Sequence, residues 1–264
     1  MVRSEWARPD AGTARRAIRR GAWLPALAVA GSATWSATQV VGLLARGRAA
    51  VAAHAGRVVR RVRPGSRRVL VVGDSSAAGV GASSPGHSVA GQLAARHPSW
   101  SIGNLAFTGC RTAQVARLLV RLRRRTRPAG RHHRPYDLLI VHVGGIDVLH
   151  GTPLDDLRVD LLQVIGAAAA VADETIIVSG GNLALAPGLP APLAWWLGRR
   201  SRQVRELFRR LVPGHHVRYL DRFRERDADP TAGHARRYVA ADGLHPSDEN
   251  DALWVDAIDE AAAR

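Results

Sequence analysis

Two short stretches carry residue types that could do chemistry together. The first is Gly73-Asp74-Ser75-Ser76, where the apolar run VLVVG ends in a serine pair followed by small residues and glycines. The second is DGLHP, with Asp242 three residues before His245. A serine hydroxyl becomes a useful nucleophile when a base takes its proton, and the base works best when an acid orients it. His245 and Asp242 can supply base and orienting carboxylate from one loop, with Gly243 allowing the turn. On the residues alone, either Ser75 or Ser76 is displayed for chemistry, or the serine merely caps a helix. A backbone N–H at a helix start would also favour developing negative charge. Phosphate-binding loops are excluded. The chain has no Lys for G-x-x-x-x-G-K-[ST], and GDSSAAGVG does not supply G-x-G-x-x-G.

These residues need elements to hold them. Apolar, strand-like runs occupy residues 69–73, 100–106, 137–144, 174–180 and 216–221. Helical patterns fall between them at 88–96, 112–125, 154–172 and 195–212, and a last helix begins after Ser247 as N-cap. Short apolar strands alternating with helices predict a parallel, doubly wound sheet buried on both faces. In such a sheet, ligands bind beyond the carboxyl ends of the strands. The loops at those ends are Gly73–Ser76, Asn104 with FTGCRT and Gly109, GGID (144–147), GGN (180–182) and DGLHPS (242–247). Five loops rich in Gly, Asp, Asn, Ser and His should converge on one edge. The Pro-rich stretch APGLPAPLAWW (186–196) is expected as a loop near that edge. Trp195 and Trp196 would either pack inside or meet an apolar acyl chain or a membrane. Residues 121–135 read as a basic surface connection, with His132 and His133 solvated.

The chain has 264 residues and a formal net charge of +16. Its basic residues are all Arg, which with abundant Ala and Gly is the usage of a GC-rich genome. No helix-turn-helix, zinc-finger or RNA-binding signature accompanies the charge, so a nucleic-acid partner is not expected. The single cysteine, Cys110, rules out an intrachain disulfide and reads as a small buried hydrophobe. Residues 1–22 form a basic tail. Residues 23–45 contain no charged side chain and are long enough to cross a bilayer, which takes about 20 residues. They are expected to be a membrane anchor, with a cleaved signal segment and secretion as the alternative. Arginines flank both ends, so orientation is open. Residues 46–66 read as a basic juxtamembrane helix and linker, and residues 67–264 as the folded domain.

In order along the chain, VVGDSSAAGVGA, NLAFTGCRT, VHVGGIDVL and ADGLHPS resemble the four sequence blocks of the SGNH (GDSL-type) esterase/lipase hydrolases. The segment GNLALAPGLPAPLAWWLGRRSRQVRELF resembles one found in a bacterial branch of that family. The resemblance implies a flavodoxin-like three-layer α/β/α sandwich with a five-stranded parallel sheet, acting on small acyl-ester or lipid-like substrates without metal or cofactor. It implies Ser75 as nucleophile, His245 as base and Asp242 as its orienting acid. The backbone N–H groups of Ser75 and Gly109 would form part of the oxyanion hole. The family's third block, G-x-N-D, supplies an Asn amide as third donor, and Ile146 stands there instead. Asn182 is the candidate substitute. A catalytically impaired domain binding an acylated lipid or glycan is the alternative that Ile146 raises. Asn250-Asp251 also replace a Gly-Tyr frequent after H-P-S, a change expected to affect packing.

Overall fold

The computed structural model of the chain describes residues 60–61, 67–126, 134–212, 214–229 and 231–263. The apolar segment 23–45, most of the 46–66 linker and the His132-His133 pair lie outside the described residues. Among the described residues, no helix is long and apolar enough to cross a membrane.

Five parallel strands form the centre: β1 (Arg68–Gly73), β2 (Ser101–Asn104), β3 (Tyr136–Val143), β4 (Ala172–Ser179) and β5 (Val217–Leu220). Their order across the sheet is β2-β1-β3-β4-β5, with a two-residue strand, Arg60–Arg61, pairing antiparallel outside β2. This is the flavodoxin-like order, and the sandwich the sequence implied. The apolar runs become strands because helices cover both faces, and the central positions of β1, β3 and β4 are buried. On one face, Leu70, Val141, Leu157, Leu161 and Phe208 belong to one core. On the other, Val71, Ile140, Leu93, Trp254 and Ile258 belong to a second.

The helices are α1 (Ser75–Ala78), α2 (Val89–Arg96), α3 (Thr112–Thr126), α4 (Gly145–His150), α5 (Leu154–Ala168), α6 (Ala191–Leu211), α7 (Ala235–Tyr238) and α8 (Asp248–Ala262). Several boundaries differ from the sequence expectation. Helix α5 stops at Ala168 rather than 172, because Ala172 already pairs with Tyr136 as the first residue of β4. Helix α3 runs to Thr126, so the basic stretch 121–135 begins as helix. The Pro-rich segment is not wholly a loop. Helix α6 starts at Ala191, with Pro190 at its N-cap and Pro192 in the first turn, where a missing N–H costs nothing. Trp195 and Trp196 therefore sit on a helix, and they are 68% and 39% exposed, so interior packing is excluded. Cys110 is buried, and burial pushes its thiol up to about 12.

Candidate active site

The β1–α1 turn is built around Asp74. Its Oδ1 accepts from the Ser76 N–H at 3.0 Å and so caps α1. The same oxygen accepts from Nδ1–H of His142 on the adjoining strand β3, at 2.8 Å. Asp74 N–H in turn donates to the His142 carbonyl at 3.2 Å. Both side chains are buried. His142 is a buried polar residue that follows the apolar run Leu138–Val141, and its ring centroid lies 4.4 Å from that of Trp254 on α8. The Nε2 of His142 has no partner among the described residues.

Ser75 is the first residue of α1 and is buried. Its Oγ lies 2.9 Å from His245 Nε2. On the other side of the imidazole, Nδ1 meets Asp242 Oδ2 at 2.5 Å. A carboxylate can only accept, so Nδ1 carries the proton and Nε2 is left to accept from the serine hydroxyl. Asp242 Oδ1 also accepts from the N–H groups of Leu244 (2.9 Å) and His245 (3.0 Å). Burial pushes this carboxyl up, but the hydrogen bonds from His245 and Leu244 outweigh it and hold it at about 2. The DGLHP loop turns at Gly243, with φ +75°, and ends in the Ser247 cap of α8.

The small residues after Ser76 have a steric cause. Gly81 adopts φ +102°, and a Cβ there would lie 2.3 Å from the Pro246 carbonyl and 2.8 Å from His245 Cβ. The loop after Ser76 must press against the loop that carries His245, and only glycine allows that approach.

Ser75, not Ser76, meets His245, and Ser76 serves through its backbone. Gly109 lies on an exposed turn between β2 and α3, with φ +71°. That loop is stitched to the nucleophile strand by Phe107 N–H to the Gly73 carbonyl (3.0 Å). Asp147, fully buried, holds its far end. Asp147 Oδ2 accepts from Thr112 N–H (3.0 Å) and Thr112 Oγ1 (2.7 Å), while its Oδ1 accepts from Thr152 Oγ1 (3.0 Å).

Ile146 and Asn182 line the same cavity as Ser75 and His245, a space of about 340 Å³. One of the two N–H donors of the Asn182 amide is already engaged. Its Nδ2 donates to the Arg224 carbonyl at 3.1 Å, and its Oδ1 accepts from Ala184 N–H at 3.2 Å. These bonds tie the loop after β4 to the loop after β5. Asp74, His142 and Asp147 were not singled out as functional from sequence. The lone histidine within YDLLIVHV was the one available signal.

Ser75, His245 and Asp242 thus stand in hydrogen-bond contact at the carboxyl edge of a parallel sheet in the flavodoxin-like order. Residues 71–252 match the family described as GDSL-like lipase/acylhydrolase, and the chain belongs to that family. Solved structures repeat the fold. A lipolytic G-D-S-L protein from Veillonella parvula is 18% identical with a TM-score of 0.55, covering 75% of this chain and 100% of its own. An extracellular lipase from Streptomyces rimosus is 15% identical with a TM-score of 0.53, covering 74% and 100%. A salicylyl-acyltransferase from a tetracycline biosynthetic pathway is 22% identical with a TM-score of 0.51, covering 76% and 56%. At these identities the likeness concerns the fold. No curated protein matches the chain.

Proposed function

We propose that the chain is a carboxylic ester hydrolase working through an acyl-enzyme. The observation that carries this reading is the continuous relay from Ser75 Oγ through His245 to Asp242. His245 Nε2 takes the hydroxyl proton as Oγ attacks the ester carbonyl. The same proton passes to the departing alcohol as the C–O bond breaks. A water then attacks the acyl-enzyme, giving its proton to His245, and the acid leaves as Ser75 regains its hydrogen. Asp242 stays ionised throughout and steadies the imidazolium. The backbone N–H groups of Ser75 and Gly109 are the donors we assign to the oxyanion.

The test is labelling with a fluorophosphonate, followed by mass spectrometry. The adduct should map to Ser75 and vanish in Ser75→Ala. Label on Ser76, or label retained by Ser75→Ala, overturns the assignment.

A second reading rests on Ile146. An alkyl side chain stands where the family places an amide, and Asn182 is engaged elsewhere. On that reading the domain binds an acylated lipid or glycan and turns it over slowly. Fluorophosphonate labelling far slower than for an active serine hydrolase would favour it. We further propose that residues 23–45 hold the domain at a membrane, supported by their length and lack of charge.

A further inference from the structure

The lining of the cavity that holds Ser75 includes an apolar set and a cationic set of side chains. Leu149, Leu183 and Leu185 belong to the first. Arg222 and Arg224, on the loop that follows β5, belong to the second. The loop is held close to the nucleophile edge, for Asn182 Nδ2 binds the Arg224 carbonyl, and a Cβ on Gly181 would lie 3.6 Å from the Arg222 carbonyl.

Neither guanidinium forms an ion pair among the described residues. Arg222 Nη1 donates to the Leu253 carbonyl at 3.3 Å, and its Cζ sits 5.6 Å from the Trp254 ring. Arg224 Nη1 donates to the carbonyls of Asp221 (3.0 Å) and Phe223 (2.8 Å). Asp229 is the carboxylate lining the same cavity beyond Asp74, and its Oδ1 accepts from Thr231 N–H (2.7 Å) and Thr231 Oγ1 (2.5 Å). Burial pulls the Arg222 guanidinium below its usual value, Arg224 adds to that, and Asp229 opposes both without cancelling them. Neighbouring arginines do find carboxylates: Arg202 with Glu225 and Arg205 with Asp221. Arg222 is thus a half-buried cation that lines the cavity of Ser75 and His245 without a carboxylate at ion-pair distance among the described residues. A bound anion would recover part of the cost of burying the charge.

We propose that Arg222, with Arg224, binds an anionic group of the substrate, so that the preferred ester carries a carboxylate, phosphate or sulfate besides the bond cleaved. The inference rests on the ester-hydrolase reading for what is cleaved, but the anion site itself is open to a binding measurement. Arg suits the task because its planar fork can donate two parallel hydrogen bonds to one oxyanion group.

The experiment uses Ser75→Ala protein, which cannot turn over, and calorimetric titration with monomethyl glutarate and dimethyl glutarate. These share an ester and a chain and differ in one negative charge. The monoanion should bind about tenfold tighter or better, a difference typical of one charge-assisted contact. Inorganic sulfate should compete with it, and Arg222→Gln in the same background should remove the preference. Equal affinity for the two probes overturns the proposal, as does an unchanged preference in a folded Arg222→Gln protein. If Arg222→Gln does not fold, Arg222→Lys serves instead, and it should keep a weakened preference that sulfate still abolishes. Turnover of the two esters by the parent protein is measured separately. Charge-selective binding without turnover of either would sink the hydrolase reading and leave the anion site standing.

Discussion

Asp74 Oδ1 receives two hydrogen bonds at once, from the imidazole of His142 at 2.8 Å and from the backbone of Ser76 at 3.0 Å. One oxygen therefore joins the central strand β3 to the turn that displays the nucleophile. Removing it should act on both. Asp74→Ala loses a helix cap worth about 1 kcal/mol and leaves a buried imidazole N–H unpaired at about 1–3 kcal/mol. We expect a loss near 3 kcal/mol in urea titration, and a turnover at least tenfold lower because Ser75 is adjacent. Unchanged stability would show that His142 finds another partner.

The Asp242 carboxyl has a sign that can be worked out. Its folded value of about 2 lies below the ordinary 3.8. The ionised form is thus favoured in the folded state, and the stabilisation is complete above about pH 4 and lost as pH falls towards 2. Its size is about 2 kcal/mol. Acid titration of stability should show this loss in the parent protein and not in Asp242→Asn. The variant's turnover should also fall by orders of magnitude, since an Asn amide can impose the wrong imidazole tautomer.

Asp251 titrates the opposite way. It is fully buried in the first turns of α8, neither carboxylate oxygen has a partner among the described residues, and burial raises its value well above 3.8. The folded state keeps a proton that the unfolded chain releases, so stability falls as pH rises above about 4. Asp251→Asn should equal the parent below pH 4 and exceed it by at least about 1 kcal/mol at pH 7. A variant less stable at pH 7 would mean that the carboxylate is charged and partnered.

Ile146 should be a brake on the chemical step. Ile146→Asn is expected to raise kcat for a small activated ester about tenfold or more, with KM changed much less, because the oxyanion is fully charged only near the transition state. Circular dichroism checks that the loop beside the buried Asp147 survives. If kcat is unchanged in a folded variant, another group already completes the oxyanion site, and Asn182→Ala then tests the second N–H of that amide.

The membrane proposal predicts that full-length protein sediments with membranes and resists carbonate extraction. Deleting residues 1–58 should release a folded domain while sparing Arg60–Arg61, which pair with β2. A soluble full-length protein would end the proposal.

The parts of this fold that were plain in the sequence are those set by burial alone. Strands covered on both faces must be apolar along their buried length, and VLVV and LLIV are. Ser75, His245 and Asp242 were legible because their spacing and residue types coincide with a known order of blocks. The failures have local causes. Proline within the first turn of α6 reads as a loop breaker although the position tolerates it, which hid the helix's first turn, Ala191–Ala194, ahead of Trp195. The Asp147–Thr112 and Asp74–His142 pairs join residues 35 and 68 apart, and no periodicity reports such partners. Arg222 looked like one arginine among many. Only the cavity wall distinguishes it from those that found a carboxylate.

Ser75 and His245 are separated by 170 positions, one following the first parallel strand and the other just preceding the last helix. The reactive pair can therefore come together only after nearly the whole domain has been synthesised and α8 has docked on the sheet. A chain still emerging from the ribosome carries its serine long before it carries the base. On the proposed ester-hydrolase reading, such a chain has its nucleophile but not yet the base that activates it. During refolding, recovery of fluorophosphonate reactivity would mark the closing of the last long-range contact rather than the formation of the sheet.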